Sequence, residues 1–151
     1  MKRTVLITLI FVLLSINIYS QQSGTGVGIM VGEPTGLSAK SWVSSNEAFA
    51  AGLGWHFVGP NDGVNFHLDY LYHIDNSLHT NFSFPLYYGF GVRLREDGKD
   101  FGLGFRGVGG ILFYLDPEPI DIFFEIAPIF KLLPETNLEL DAALGARYYF
   151  Y

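Results

Sequence analysis

The stretch 137–151, NLELDAALGARYYFY, decides the fold. Leu138, Leu140, Ala142, Leu144, Ala146, Tyr148 and Phe150 fall on one face of an extended chain. Asn137, Glu139, Asp141, Ala143, Gly145 and Arg147 fall on the other. A period of two sustained over this length predicts a β-strand with one apolar and one polar face.

Working back from this strand, turn-forming clusters divide the chain into seven more segments. The eight are about 26–32, 36–43, 48–57, 64–73, 85–95, 101–115, 120–132 and 137–150. The breaks carry the Gly, Pro, Asn, Asp and Ser residues that favour turns, such as Glu33-Pro34-Thr35, Asp97-Gly98-Lys99-Asp100 and Asp116-Pro117-Glu118-Pro119. Pro128 interrupts segment seven, where it removes a ladder donor, and a bulge is expected there.

One face collects Val27, Ile29 and Val31 in the first segment, Phe66, Leu68 and Tyr70 in the fourth, Tyr88, Phe90 and Val92 in the fifth, and Phe124, Ile126 and Phe130 in the seventh. No charged side chain falls on it within the segments. The opposite face carries six bases, Lys40, Arg93, Arg95, Arg106, Lys131 and Arg147. It also carries five acids, Asp69, Asp121, Glu125, Glu139 and Asp141, diluted by glycine and alanine.

Alternation alone also fits a lipocalin-like soluble barrel with its apolar face inside. Three features favour the apolar face outside. The polar face is not the Thr-, Lys- and Glu-rich surface of a solvated sheet but largely small, as in Ala48, Ala50, Gly52 and Gly54, which suits a narrow interior. Simple hairpin registers set bulky groups against small ones: Arg95 opposite Gly102, Arg93 opposite Gly104, Arg106 opposite Gly91 and Tyr87 opposite Gly110. A hairpin centred on Pro34 likewise sets Lys40 opposite Gly28 and Trp42 opposite Gly26. Finally, the apolar face has more large residues than eight strands could enclose.

The 151 residues suffice for one domain. Residues 1–20 read as a cleaved signal peptide: Lys2 and Arg3, an apolar run from Val5 to Leu14, then small or polar residues up to Ser20. Residues 21–151 form the barrel domain. Losing the leader takes the net charge from −6 to about −8, which argues against nucleic acid. With no cysteine, disulfides, thiolate chemistry and cysteine metal sites are excluded. Charged residues are 16 % and aromatics 17 %, with 18 glycines. Soluble proteins average roughly 25 % charged, so this balance suits a barrel whose outside meets lipid.

The secretory leader, the eight alternating segments and the aromatic ending resemble the small eight-stranded outer-membrane barrels of the OmpA-transmembrane and OmpX type. Within that class, Gly32-Glu33-Pro34-Thr35-Gly36, Leu86-Tyr87-Tyr88-Gly89 and Arg147-Tyr148-Tyr149-Phe150 are similar to a group of uncharacterised bacterial outer-membrane proteins. The resemblance implies a closed antiparallel up-and-down transmembrane barrel in the outer membrane of a Gram-negative bacterium. It also implies outer-membrane lipids as partners and a C-terminal signal, Tyr148, Phe150 and Tyr151, read by the barrel assembly machinery. Long loops usually lie outside in this family. Here the longest connection, about Ile74 to Phe84, falls on the periplasmic side by strand count.

The near balance of inward charges predicts a structural ion-pair network that fills the interior, with Lys131–Glu139 and Asp121–Arg147 as cross-strand pairs. A polar permeation path is the functional alternative. His56, His67 and His73 share the inward face, but His67 and His73 are about 20 Å apart along the strand and cannot share one metal ion. No metal or cofactor is expected. Lipid-modifying barrel enzymes need a nucleophile–base pair; no His-x-Ser pair occurs, so the chain is not expected to be an enzyme. No helix follows the Gly102-x-Gly104 spacing, so no phosphate-binding loop is expected. The resulting expectation is a monomeric envelope protein with a structural or surface-interaction role. Small-solute transport or binding, and lipid modification, are the alternatives.

Overall fold

The computed structural model describes residues 24–56, 63–74, 84–98 and 100–150, without the side chain of His56. The leader, Tyr151 and most of the 74–84 connection lie outside the described residues. Eight strands follow in order: β1 (Thr25–Gly32), β2 (Thr35–Trp42), β3 (Glu47–His56), β4 (Gly63–Ile74), β5 (Leu86–Glu96), β6 (Phe101–Tyr114), β7 (Ile120–Leu133) and β8 (Asn137–Phe150). Each begins and ends within one residue of its segment in the alternation. Every strand pairs antiparallel with the next, and β8 returns to β1, closing an all-β up-and-down barrel. The described residues contain no helix.

Burial follows parity. Ile29, Val31, Phe90, Phe105, Leu138 and Phe150 all project outward and are exposed. Charged residues enter the outward rows only at strand ends, at Glu47 and Glu96. The even-numbered residues of β6 and the odd-numbered residues of β4, β7 and β8 turn into the lumen. The lumen is therefore the core, and it mixes ion pairs with an apolar layer of Met30, Leu71, Val108, Leu112, Phe123 and Ala127. This layer departs from a purely polar filling. An eight-stranded interior is just wide enough for side chains to fill it, and these residues occupy the width between the charged tiers.

Two local expectations need correction. The hairpin of β1 and β2 is centred on Glu33, so Gly26 faces Lys40 and Gly28 faces Ser38. The turn starts one residue early because Gly32 takes φ +133°, a conformation open chiefly to glycine. Thr35 then locks it: Oγ1 accepts from Gly32 N–H at 3.0 Å and donates to Gly32 O at 2.8 Å. The shift is two residues, so parity and faces are unchanged. No bulge lies at Pro128. The register is the same on both sides of it, from Arg106↔Ile129 to Gly109↔Ile126, with only the two positions between left unpaired. The register shift falls instead between Leu103 and Gly104.

The registers proposed for β5 and β6 are those observed: Arg95↔Gly102, Arg93↔Gly104, Gly91↔Arg106 and Tyr87↔Gly110. At the β1–β8 seam, Gly28 lies beside Arg147. A Cβ on Gly28 would overlap the Ala146 carbonyl, so closure needs glycine there.

Candidate functional site

The lumen is the only region of the described residues where polar side chains converge in number, and its groups form three tiers. At the end where β1 starts and β8 stops, Asp121 is fully buried. Arg147 grips it with two hydrogen bonds, Nε to Oδ1 at 2.9 Å and Nη2 to Oδ2 at 3.1 Å. Tyr149 donates its hydroxyl to Oδ2 at 2.6 Å, and Lys40 Nζ stands 4.0 Å away. Asp121 and Arg147 are directly opposite in the β7–β8 register, which sets up the fork.

Lys40 makes its closest contact elsewhere, 2.8 Å from Nε2 of His73. An ammonium group has only hydrogens to offer, so Nε2 accepts. The ring hydrogen then sits on Nδ1, which faces the Asn46 carbonyl at 3.2 Å. Aromatic rings close round these cations: Lys40 Nζ is 4.1 Å from the Trp42 ring centre, and Arg147 lies 4.1 Å over Phe123. His73 packs between Trp42 and Tyr87.

In the middle tier Arg106, fully buried, bridges three carboxylates from three other strands. Its Nε donates to Asp69 at 2.9 Å and its Nη2 to Glu125 at 2.6 Å, while Nη1 is 3.6 Å from Asp141. Tyr87 donates to the second oxygen of Glu125 at 3.0 Å. His67 Nε2 is 3.8 Å from Asp69, too long for a hydrogen bond. Asn65 Oδ1, His67 Nδ1, Asp69 Oδ1 and Arg106 Nη1 are buried without a hydrogen-bond partner.

The upper tier is more open. Arg93 reaches across from β5 to both Asp141, at 3.3 Å, and Glu139 on β8. Lys131 stands 3.7 Å from Glu139. Arg95 makes its ion pair with Asp97, in its own turn, at 2.9 Å.

All eleven charged residues singled out from the sequence thus project inward, and ten of them join chains of ion pairs. Both expected cross-strand pairs, Lys131–Glu139 and Asp121–Arg147, are present. Sequence reasoning did not assign the uncharged partners Tyr87, Tyr149 and His73 or the turn acid Asp97. Parity puts the first three on the inward face, and that was the available signal. Tyr148 and Phe150 point outward at the end of β8, their rings 5.2 Å apart edge to face, and Tyr151 lies outside the described residues.

Chemically, the lumen holds charges already matched to one another. His73 is engaged by Lys40 and Asn46, and among the described residues neither it nor His67 hydrogen-bonds to a serine. No group of three potential metal ligands occurs among the described residues. Comparisons of the chain with protein-family models, with curated proteins and with solved structures gave no match.

Proposed function

We propose that the protein is an integral outer-membrane barrel with a packed interior, acting as a structural element of the envelope or as a contact surface through its turns. One observation carries this reading: the polarity of the barrel is inverted. Large apolar side chains cover the outside while buried ion pairs fill the inside. Water would penalise such an exterior, and lipid would favour it. Closure gives every strand a neighbour on both sides, the arrangement hydrocarbon favours for a spanning sheet. The aromatic pair at the end of β8 fits a C-terminal strand read by assembly machinery. The decisive experiment is outer-membrane fractionation with heat-modifiable gel mobility. A folded band in that membrane that shifts on boiling supports the reading; a soluble periplasmic species defeats it.

A second reading is passage or binding of a small polar solute. It is favoured by four buried lumen atoms without a hydrogen-bond partner, on Asn65, His67, Asp69 and Arg106, since such groups are ordinarily satisfied by water. Single-channel recording in planar bilayers separates the two. The packed-interior reading expects a silent barrel, and discrete conductance steps would favour the solute path.

A further inference from the structure

The outer wall is lopsided. Strands β1 and β2 have eight residues each, whereas β6, β7 and β8 have fourteen each. The outward apolar rows are more unequal still. On β6 the row runs from Phe101 to Phe113 and on β8 from Leu138 to Phe150, while on β1 it covers only Val27 to Val31. On β2 it is reduced to Leu37 and Ala39, bounded by Thr35 above and Ser41 below. Ser41 is paired outward with Thr25, hydroxyl to hydroxyl at 3.2 Å.

A residue advances about 2.5 Å along the membrane normal, from about 3.3 Å per residue and a tilt of about 40°. The rows of β6 and β8 are then about 30 Å tall and those of β4 and β7 about 25 Å, matching the usual band of about 25 Å. The rows of β1 and β2 reach only about 10 and 5 Å.

A second feature lies on the same flank. Glu33 N–H donates to Ala142 O at 2.9 Å. This bond shows that even-numbered residues of β8 direct their backbone groups toward β1. Above that bond, β8 has no backbone partner on this side among the described residues. Leu138 N–H is met by its neighbour Asn137 Oδ1 at 2.9 Å. Among the described residues, the Leu138 carbonyl and both backbone groups of Leu140 have no backbone partner on this edge, which hydrocarbon would leave unbonded.

We infer that the β1–β2 flank binds lipid headgroups and water within the normal span of the bilayer, so that the membrane is locally thinned along one side of the barrel. This inference rests on the membrane reading above. Tilting the barrel is no escape, because tilt raises one flank and lowers the other without lengthening a short row. The headgroup region supplies the donors and acceptors that the free edge, Thr25, Thr35 and Ser41 can use.

The geometry gives a strict test. Thr35 and Ser41 are six residues apart on one strand, hence about 15 Å along the normal. A band of about 25 Å that covers Leu37 and Ala39 must include at least one of them. The chain has no cysteine, so single thiols can be placed at will. Thr35→Cys, Ser41→Cys, Phe105→Cys, Ile126→Cys and the turn variant Glu118→Cys would be folded as the mature chain into dimyristoylphosphatidylcholine vesicles. Folding is checked by heat-modifiable mobility, and the thiols are then labelled with a water-soluble maleimide from both sides.

The expected result is labelling at both Thr35→Cys and Ser41→Cys within about threefold of Glu118→Cys, with Phe105→Cys and Ile126→Cys at least tenfold slower. Protection at either flank position with dilute protein overturns the inference and leaves the membrane reading standing. Protection that appears only at high protein-to-lipid ratio also overturns it, in favour of a second copy covering the flank. Rapid labelling at Phe105→Cys and Ile126→Cys removes the membrane reading itself, and this inference with it.

Discussion

Replacing Arg106 with methionine isolates the electrostatic work of the middle tier. Methionine nearly fills the space of the arginine stem, so cavity formation is a small part of the change. What is lost is the charge between Asp69, Glu125 and Asp141. Glu125 keeps the Tyr87 hydroxyl and Asp141 keeps Arg93, but Asp69 keeps only His67 at 3.8 Å. The penalty therefore concentrates on Asp69, which is buried and already has one oxygen without a partner. Removing one member of a buried pair costs about 3–5 kcal/mol, a hundredfold or more in the folding equilibrium. Urea titration of the folded chain in micelles at neutral pH, followed by circular dichroism and gel mobility, measures this loss. Asp69→Asn in the Arg106→Met background removes the stranded charge and is expected to recover most of it. A loss under about 1 kcal/mol, or no recovery in the double variant, would refute the reasoning.

Adjacent glycines on β6 should respond oppositely. Gly110 faces inward, and a Cβ there would overlap the Tyr87 ring, so Gly110→Leu is expected to displace Tyr87 from Glu125 and destabilise by about 1–3 kcal/mol. Gly109 faces outward with open space round it, so Gly109→Leu should stay within about 0.5 kcal/mol in the same titration. Asp121→Asn leaves Arg147 and Lys40 without their shared carboxylate and should cost about 3–5 kcal/mol, with Arg147→Met in the same chain restoring part of it. Phe124→Arg puts a charge on the outer wall of β7; vesicle-folded protein should lose about 2–4 kcal/mol, and an unchanged stability would count against lipid at that position.

The strand boundaries were legible because parity and turn residues agree at nearly every break. The β5–β6 register was legible because each long inward side chain of that hairpin has a glycine across from it. The β1–β2 register was not, since the conformation of Gly32 and the Thr35 lock that move the turn leave parity untouched. Ion pairs between neighbouring strands, such as Asp121–Arg147, follow from a hairpin. Those that cross the lumen do not: Arg106 on β6 meets Asp69 on β4, and Arg93 on β5 meets Asp141 on β8. Such pairs depend on how far the strands stagger as the ring closes, which no single hairpin encodes. The apolar layer around Leu71 and Phe123 was obscured for a related reason, because its members are scattered singly among inward polar residues on separate strands.

The position of β8 has a kinetic consequence. It supplies the strand that joins β1, and it carries Glu139 and Asp141, which Arg93 reaches from β5. A chain emerging from its N-terminus therefore meets both requirements only with the fourteen residues of β8. Until then the sheet has two raw edges and a guanidinium on Arg93 without its carboxylates. Contacts of such long sequence separation form slowly and together. The native ring should accordingly arrive in one late step, with no stable seven-stranded stage before it.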